Sequence, residues 1–159
     1  MTSLSAIELR EGDVADIDEM MATMDEAFDA AFGEAWSRAQ CLGILGLPGV
    51  WLTLARIGEE PVGFALNRIV FEEAELLLLG VRPGFRRHGI GRALLGRSSA
   101  KAHALGARRL HLEVREGNDA RHLYDTVGFV QVGGRRGYYK GKDGRLFNAA
   151  TLAFSLDGR

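Results

Sequence analysis

LLLLGVRPGFRRHGIGRA, Leu76 to Ala93, holds a strand, a turn and a glycine-rich loop that opens a helix. Four consecutive leucines, Leu76 to Leu79, suit a strand covered on both faces. Pro83 and Gly84 end it. Arg86-Arg87-His88-Gly89-Ile90-Gly91 then leads into an amphipathic helix carrying Ala93, Leu94 and Leu95. Gly89 and Gly91 lack a Cβ, which lets a ligand approach their backbone. A helix start offers free N–H groups and the positive end of a dipole, and both suit a phosphate. Arg86, Arg87 and Arg92 crowd that start with charge-assisted donors. As residue types alone, the same letters also describe an ordinary turn and a solvated basic face. The full order (strand, V-x-P turn, R-x-x-G-I-G-R-A-L-L, helix) is the more specific signal.

Length and composition set the frame around this stretch. A chain of 159 residues, 47% hydrophobic and 26% charged, is expected to fold as one domain, residues 1–159, with a sizeable core. Its apolar runs are too short to span a bilayer, so no membrane partner is expected. The amino terminus, MTSLSAIELREGD, lacks a basic region followed by an apolar core, and no signal peptide is expected. The single cysteine, Cys41, fits a reducing cytoplasm and sits in an apolar segment, as a small buried hydrophobe would.

The net charge of −1 hides a split. Residues 1–80 carry 4 Lys and Arg against 15 Asp and Glu; residues 81–159 carry 16 against 6. Such a split suggests an anionic ligand on the basic half and a basic partner steered to the acidic one. The basic half lacks interleaved aromatics and a recognition-helix motif, which argues against direct nucleic-acid binding. His88, His103, His111 and His122 show no ligand spacing, and no metal is expected.

Along the chain, Ala6–Arg10 alternates as a first strand. Asp13 or Asp16 caps a helix running to about Phe28, with Val14, Ile17, Met20, Met21 and Met24 as its core stripe. A second helix is predicted over Glu34–Leu45. Strands are predicted at Val50–Ile57, Val62–Phe71 and Ala74–Val81, then a helix to about Leu105, closed by Gly106. Ala107–Arg115 alternates: Leu110, Leu112 and Val114 take one face, Arg109, His111, Glu113 and Arg115 the other. Asn118 or Asp119 starts a short helix through Val127, and Phe129–Val132 is a strand. Arg135–Arg145 reads as a basic loop, and Asn148–Leu156 as the last strand. The acids Asp25, Glu26, Asp29 and Glu34 either face a basic acceptor or form a solvated helix face.

GVRPGFRRHGIGRALL resembles the acetyl-CoA-binding motif of the GCN5-related N-acetyltransferase (GNAT) superfamily. LHLEVREGN, HLYDTVGF and RRGYYKGKDGR resemble its branch that acetylates protein N-termini, the RimI-type ribosomal-protein alanine acetyltransferases. Ala35-Trp36-Ser37 is loosely similar to a Pro-Trp-Ser stretch of that branch. The resemblance is strong from about Glu73 to Leu156. It implies an α/β (α+β) GNAT fold, a mixed central sheet of about seven strands with about four helices on its two faces. It implies acetyl-CoA as cosubstrate and an acceptor that is a protein N-terminus, with a ribosomal protein as the type. A small amine or a lysine, or a non-catalytic CoA-binding module, remains the alternative. Either a monomer or a homodimer is compatible with the sequence.

Site residues follow from the same resemblance. Backbone groups of Arg86, Arg87, His88, Gly89, Ile90, Gly91, Arg92 and Ala93 would cradle the pyrophosphate. Leu79, Gly80 and Val81 would bond the pantetheine arm as an added strand does, and Asn118 would bond it too. Asn118 is also a ready helix cap. Glu113 reads either as a base or as the partner of Arg109, Arg115 or another arginine; the match to L-E-V-R implies the base. A carboxylate of ordinary pKa, about 4.3, would act on an ammonium through water. Tyr124 reads as a packing tyrosine or, by resemblance, as the acid beside the sulfur. Asn118 to Tyr124 spans six positions, one fewer than is usual in the branch. Tyr138 and Tyr139 match paired tyrosines that contact the acceptor, and equally suit a packing lid. An α-amine, with a pKa of about 7.7–8.0 against about 10.4 for lysine, needs the weaker base.

Overall fold

The computed structural model describes residues 6–157. Residues 1–5, part of the stretch read for a signal peptide, lie outside the described residues. The chain runs β1 (Ile7–Gly12), α1 (Ile17–Ala27), α2 (Arg38–Leu45), β2 (Val50–Ile57), β3 (Glu60–Val70) and β4 (Glu73–Val81). It continues with α3 (Ile90–Ala104), β5 (Arg109–Arg115), α4 (Ala120–Val127), β6 (Val130–Lys140) and β7 (Leu146–Ser155). The strands form one seven-stranded sheet in the order β1-β2-β3-β4-β5-β7-β6. All neighbours are antiparallel except β4 and β5. This is the mixed sheet that the resemblance implied.

Helices cover both faces because the strands bury both. Beneath α3 and α4, Leu94, Leu95, Leu110, Leu112 and Leu152 form one apolar cluster. Beneath α1 and α2, Met20, Met24, Leu52, Phe64 and Leu66 form the other. Each fully buried side chain of this size contributes about 1.5–3 kcal/mol. Cys41 is buried in the second cluster, as expected. Met20 and Met24 are fully buried. Val14 departs from the expected stripe: it lies in a short 3₁₀ turn ahead of α1 and is 53% exposed. The cause is a capping box in which Asp13 accepts from Ala15 N–H and Asp16 accepts from Asp13 N–H, so the α-helix starts only at Ile17.

Helix α2 starts at Arg38, four residues later than predicted. Ser37 and Gln40 form a reciprocal capping box there, which leaves Glu34 in the preceding loop. Arg135–Arg145 is a second correction. Most of it is strand: β6 runs to Lys140, slips register between Arg135 and Tyr139, and pairs again through Tyr139↔Phe147 and Lys140↔Leu146. An edge strand with one face in water shows no apolar alternation, so its letters resemble a loop.

Part of the charge split is met by ion pairs between the two halves. Lys101 pairs with Glu11, Arg82 with Glu26 and Glu60, Arg109 with Glu73, and Arg115 with Glu34. Glu26 is thus bound to Arg82, Asp29 caps a 3₁₀ turn through Ala31 N–H, and Glu34 is nearly buried. The four acids do not form one acceptor-facing cluster.

The β3–β4 turn carries Phe71 at φ 55° and 93% exposed. A left-handed conformation costs a side-chain-bearing residue about 1–2 kcal/mol, and here no burial offsets it. Phe71→Gly is expected to stabilise the protein by about 0.5–1 kcal/mol after the added entropy of the unfolded chain. Urea unfolding measures it, and an unchanged or lower midpoint would contradict it.

Candidate active site

Strands β4 and β5 pair over only three rungs, Glu73↔Arg109, Ala74↔Leu110 and Glu75↔His111. Beyond Glu75 they diverge, while β4 stays paired to β3 as far as Val81. The backbone of β4 from Leu76 onward therefore faces a gap rather than a strand. A bulge deepens the fork: Asn67 opposes Leu76, Leu66 opposes Leu78, and Leu77 is the extra residue. The alternation changes phase there, so Leu76 and Leu79 pack beneath α3 while Leu77 and Leu78 pack beneath α1. The four leucines do line both faces, by way of that bulge.

A pocket fills the fork. It brings together Leu79, Glu113, Asn118, Tyr124, Tyr138 and Tyr139 from the sequence-derived candidates. It adds Phe28, Trp36 and Glu75, which the sequence reading did not assign to the site, and Glu34, which that reading offered as one of four acids facing a basic acceptor or forming a solvated helix face. Trp36 lies in the A-W-S stretch, and a lone acid entering the run of leucines was the available signal for Glu75. Gly80, Val81 and the Arg86–Ala93 loop do not line this pocket.

That loop forms a separate cradle at the start of α3. Gly89 caps the helix at φ 82°, and a Cβ there would meet nothing within 4 Å among the described residues. Arg87 shares the left-handed region at φ 66°. The first-turn N–H groups of α3 have no partner within the helix. Arg86, Arg87, His88 and Arg92 are exposed around them. An anion of pyrophosphate type fits this set of donors. Gly91 differs from the expectation of close ligand approach: its missing Cβ makes room for Leu123 of α4. Ile90 is buried and Ala93 half-buried, so they contribute backbone only. The Arg86 guanidinium donates to the Ala27 carbonyl at 2.7 Å and ties the loop to the end of α1.

Tyr124 enters the pocket from α4. Its ring is 6% exposed and packs edge-on against Phe129, centroids 5.7 Å apart. Burial raises its hydroxyl pKa, and the Glu34 carboxylate adds to the rise. Tyr139 is raised for the same two reasons. Both therefore stay protonated near neutrality. In the unfolded chain they return to 10.0, so their contribution to stability is intact below about pH 10 and is lost above it.

Glu113 is 6% exposed, and both of its oxygens are engaged. Oε1 accepts from Arg135 Nε at 3.0 Å, and Oε2 accepts from the Thr151 hydroxyl. The arginine partner is thus Arg135 of β6, not Arg109 or Arg115. Tyr139 donates its hydroxyl to the Glu113 carbonyl at 3.2 Å, and Tyr138 packs edge-on to Tyr139, 48% exposed at the mouth.

Asn118 opens α4 as an Asx turn, its Oδ1 accepting from Ala120 N–H at 2.8 Å. Its amide donates to Glu34 Oε2 at 2.7 Å, while Arg115 Nε donates to Glu34 Oε1 at 3.1 Å. The Arg115 guanidinium lies 3.7 Å over the Phe32 ring. Glu34 thus links the α1–α2 loop to the start of helix α4. That loop is sealed against β6, where Gly33 at φ 70° packs so closely that a Cβ would overlap the Lys140 carbonyl.

A parallel pair that splits after three rungs, with a glycine-capped basic helix start after β4 and a phenol and carboxylates in the fork, is the arrangement that the acetyltransferase resemblance implied. Residues 17–129 match the acetyltransferase (GNAT) family. The chain belongs to that family. It is 38% identical over 95 residues to the [ribosomal protein bS18]-alanine N-acetyltransferase of Haemophilus influenzae, a match covering 60% of this chain and 65% of that protein. It is 35% identical over 133 residues to the Haemophilus ducreyi protein of the same name, covering 82% and 90%. The crystal structure of the ribosomal-protein-S18-alanine N-acetyltransferase from Escherichia coli superposes with a TM-score of 0.85 at 28% identity, over 97% of this chain and 96% of that one. Among the described residues, no helix is long and apolar enough to cross a membrane.

Proposed function

We propose that this chain transfers the acetyl group of acetyl-CoA to the α-amine of a protein N-terminus, with a ribosomal-protein alanine as the acceptor type, in the cytoplasm. The carrying observation is the two-sided fork. Tyr124 stands on the α4 side, and Glu113, Glu75, Tyr138 and Tyr139 stand on the other, in a chain related to enzymes named for that acceptor.

Acetyl-CoA supplies an activated acyl carbon and a thiolate leaving group. The Arg86–Ala93 loop holds its phosphates through first-turn N–H groups of α3 and the exposed arginines. The unpaired edge of β4 around Leu79, Gly80 and Val81 holds the pantetheine arm, and Asn118 adds a contact. A backbone N–H near Val81 stabilises the oxyanion. Tyr124 donates its phenolic proton toward the leaving sulfur. The acceptor-side carboxylates receive the proton that the ammonium must lose, and Tyr138 and Tyr139 wall the path of the first acceptor residues.

Thiol release from acetyl-CoA tests the reading, with peptides carrying free Ala, Ser or Met termini, an Nα-blocked lysine peptide, polyamines and aminoglycosides as acceptors. Release confined to free-terminus peptides is expected. Release only with a small amine would overturn the acceptor, and detectable CoA binding without turnover of any acceptor would favour a non-catalytic module.

A further inference from the structure

Glu113 of β5 and Thr151 of β7 stand directly opposite each other on the β5–β7 ladder. Direct partners in an antiparallel pair point to the same face of the sheet. Their neighbours Leu112 and Leu152 take the other face, inside the apolar cluster beneath α3 and α4. On the Glu113 face, β7 presents Ala149, Thr151 and Ala153 in turn. Thr151 thus sets one hydroxyl between two alanines, and its Oγ1 donates to Glu113 Oε2. Arg135 Nε donates to the other oxygen, Oε1, at 3.0 Å. These two partners differ in how firmly they are held. The Arg135 side chain is 59% exposed and lies near the Tyr138 ring at the pocket mouth. An exposed arginine keeps many rotamers, and its ion pair is weak. Thr151 is half-buried, and its branched Cβ leaves χ1 few choices in a strand. Gly133 of β6 flanks it on the far side, close enough that a Cβ there would lie 3.9 Å from Thr151 Cβ.

We propose that Thr151 is a positioning residue for Glu113: its hydroxyl fixes the plane of the carboxylate, so that a free lone pair is presented to the pocket. The proposal rests on the acetyltransferase reading, with Glu113 as a carboxylate that takes the proton of the acceptor ammonium. Glu113 lines the pocket, and Thr151, among the described residues, does not. Thr151 therefore acts through Glu113 and not on the amine or the thioester.

A glutamate carboxylate turns easily about its last torsion, which has broad wells. One bond from an exposed arginine leaves that rotation loosely restrained. A second bond, from a hydroxyl fixed on the neighbouring strand, makes a two-point hold. Each carboxylate oxygen carries two lone pairs, so one bond to each leaves both oxygens able to receive a proton. A base works only within about 2.6–3.2 Å of the proton it takes, directly or through one water. Misplacing a reacting group by about 1 Å can cost about 10²-fold in rate, so the hold on the carboxylate is a lever on turnover.

Rates of the full chain with acetyl-CoA and an alanine peptide are compared for Thr151→Val, Thr151→Ser and Thr151→Ala, each alone and combined with Glu113→Gln. Valine keeps the shape and loses the hydroxyl; serine keeps the hydroxyl and loses a methyl group. Thr151→Val is expected to lower kcat about 10-fold, with the KM for acetyl-CoA within about twofold of the parent. Thr151→Ser stays within about threefold of the parent, because the donor to Glu113 remains. On top of Glu113→Gln, Thr151→Val costs less than about twofold more, because the group it orients is already gone. If Thr151→Val fails to fold, the alanine and serine variants, which differ by the hydroxyl alone, carry the same comparison. Crystal structures of the parent and of the hydroxyl-free variant read the orientation directly, and the Glu113 carboxylate is expected to turn out of its parental plane. Parental kcat without the hydroxyl, an equal loss in Thr151→Ser, or a full further loss on top of Glu113→Gln overturns the proposal. A parent chain that acetylates no peptide overturns the acceptor reading instead. The two crystal structures then decide the hold by themselves, and a carboxylate unmoved by loss of the hydroxyl overturns it.

Discussion

Tyr124→Phe lowers kcat by about 10²-fold at saturating acetyl-CoA and leaves the apparent Kd for CoA within about twofold. The substitution removes one oxygen and no packing. The ring is 6% exposed and rests on Phe129, which stacks on Phe154 at 5.3 Å, so phenylalanine fills the same space. What is lost is a phenolic proton aimed into the fork. Burial and the Glu34 carboxylate raise that hydroxyl, so it is neutral throughout any working range below its ordinary value of 10.0. The deficit is therefore the same at about pH 6.5 and pH 8.5, unlike that of a carboxylate variant. Steady-state rates with a CoA titration check this. Parental kcat, or a deficit that fades at either pH, would remove Tyr124 as the donor.

Arg115→Ala destabilises the protein by about 3 kcal/mol. The Arg115 side chain is 11% exposed and that of its partner Glu34 is 10% exposed. Deleting the arginine leaves a nearly buried carboxylate whose remaining donor is the Asn118 amide, at 2.7 Å. It also removes the guanidinium from the Phe32 ring. For a chain of this size the loss corresponds to about 6–12 °C in Tm. The double variant Glu34→Gln/Arg115→Met removes both charges and recovers most of the loss, since a buried pair stabilises little over an apolar replacement. Thermal unfolding of the parent, Glu34→Gln, Arg115→Met and the double variant closes the cycle, with Arg115→Ala measured beside them. A single-variant loss as small as that of an exposed pair would show the cluster to be solvated.

Local pattern was sufficient for much of this molecule. The strand, turn and glycine loop from Leu76 to Ala93 read correctly because period, proline and glycine act over a few residues. The methionine stripe at Met20 and Met24, the buried Cys41 and the alternation of β5 followed from the same short-range rules. Ser37 and Gln40 carried the true start of α2, four residues after the predicted start at Glu34. Motif resemblance then assigned the fold and gathered Glu113, Asn118, Tyr124, Tyr138 and Tyr139, which meet in one pocket.

Tertiary structure decided the rest, because register and cross-strand partners depend on contacts far apart in the chain. The bulge at Leu77 that puts four leucines on two faces is set by β3. Glu113 finds Arg135 across β7, a partner 22 residues away, and Glu34 finds Arg115 across 81. Glu75 acquires its place in the site only from the rung it shares with His111, where two parallel strands stop pairing. Side-chain chemistry is local, but the company a carboxylate keeps is set by the packing of the whole sheet.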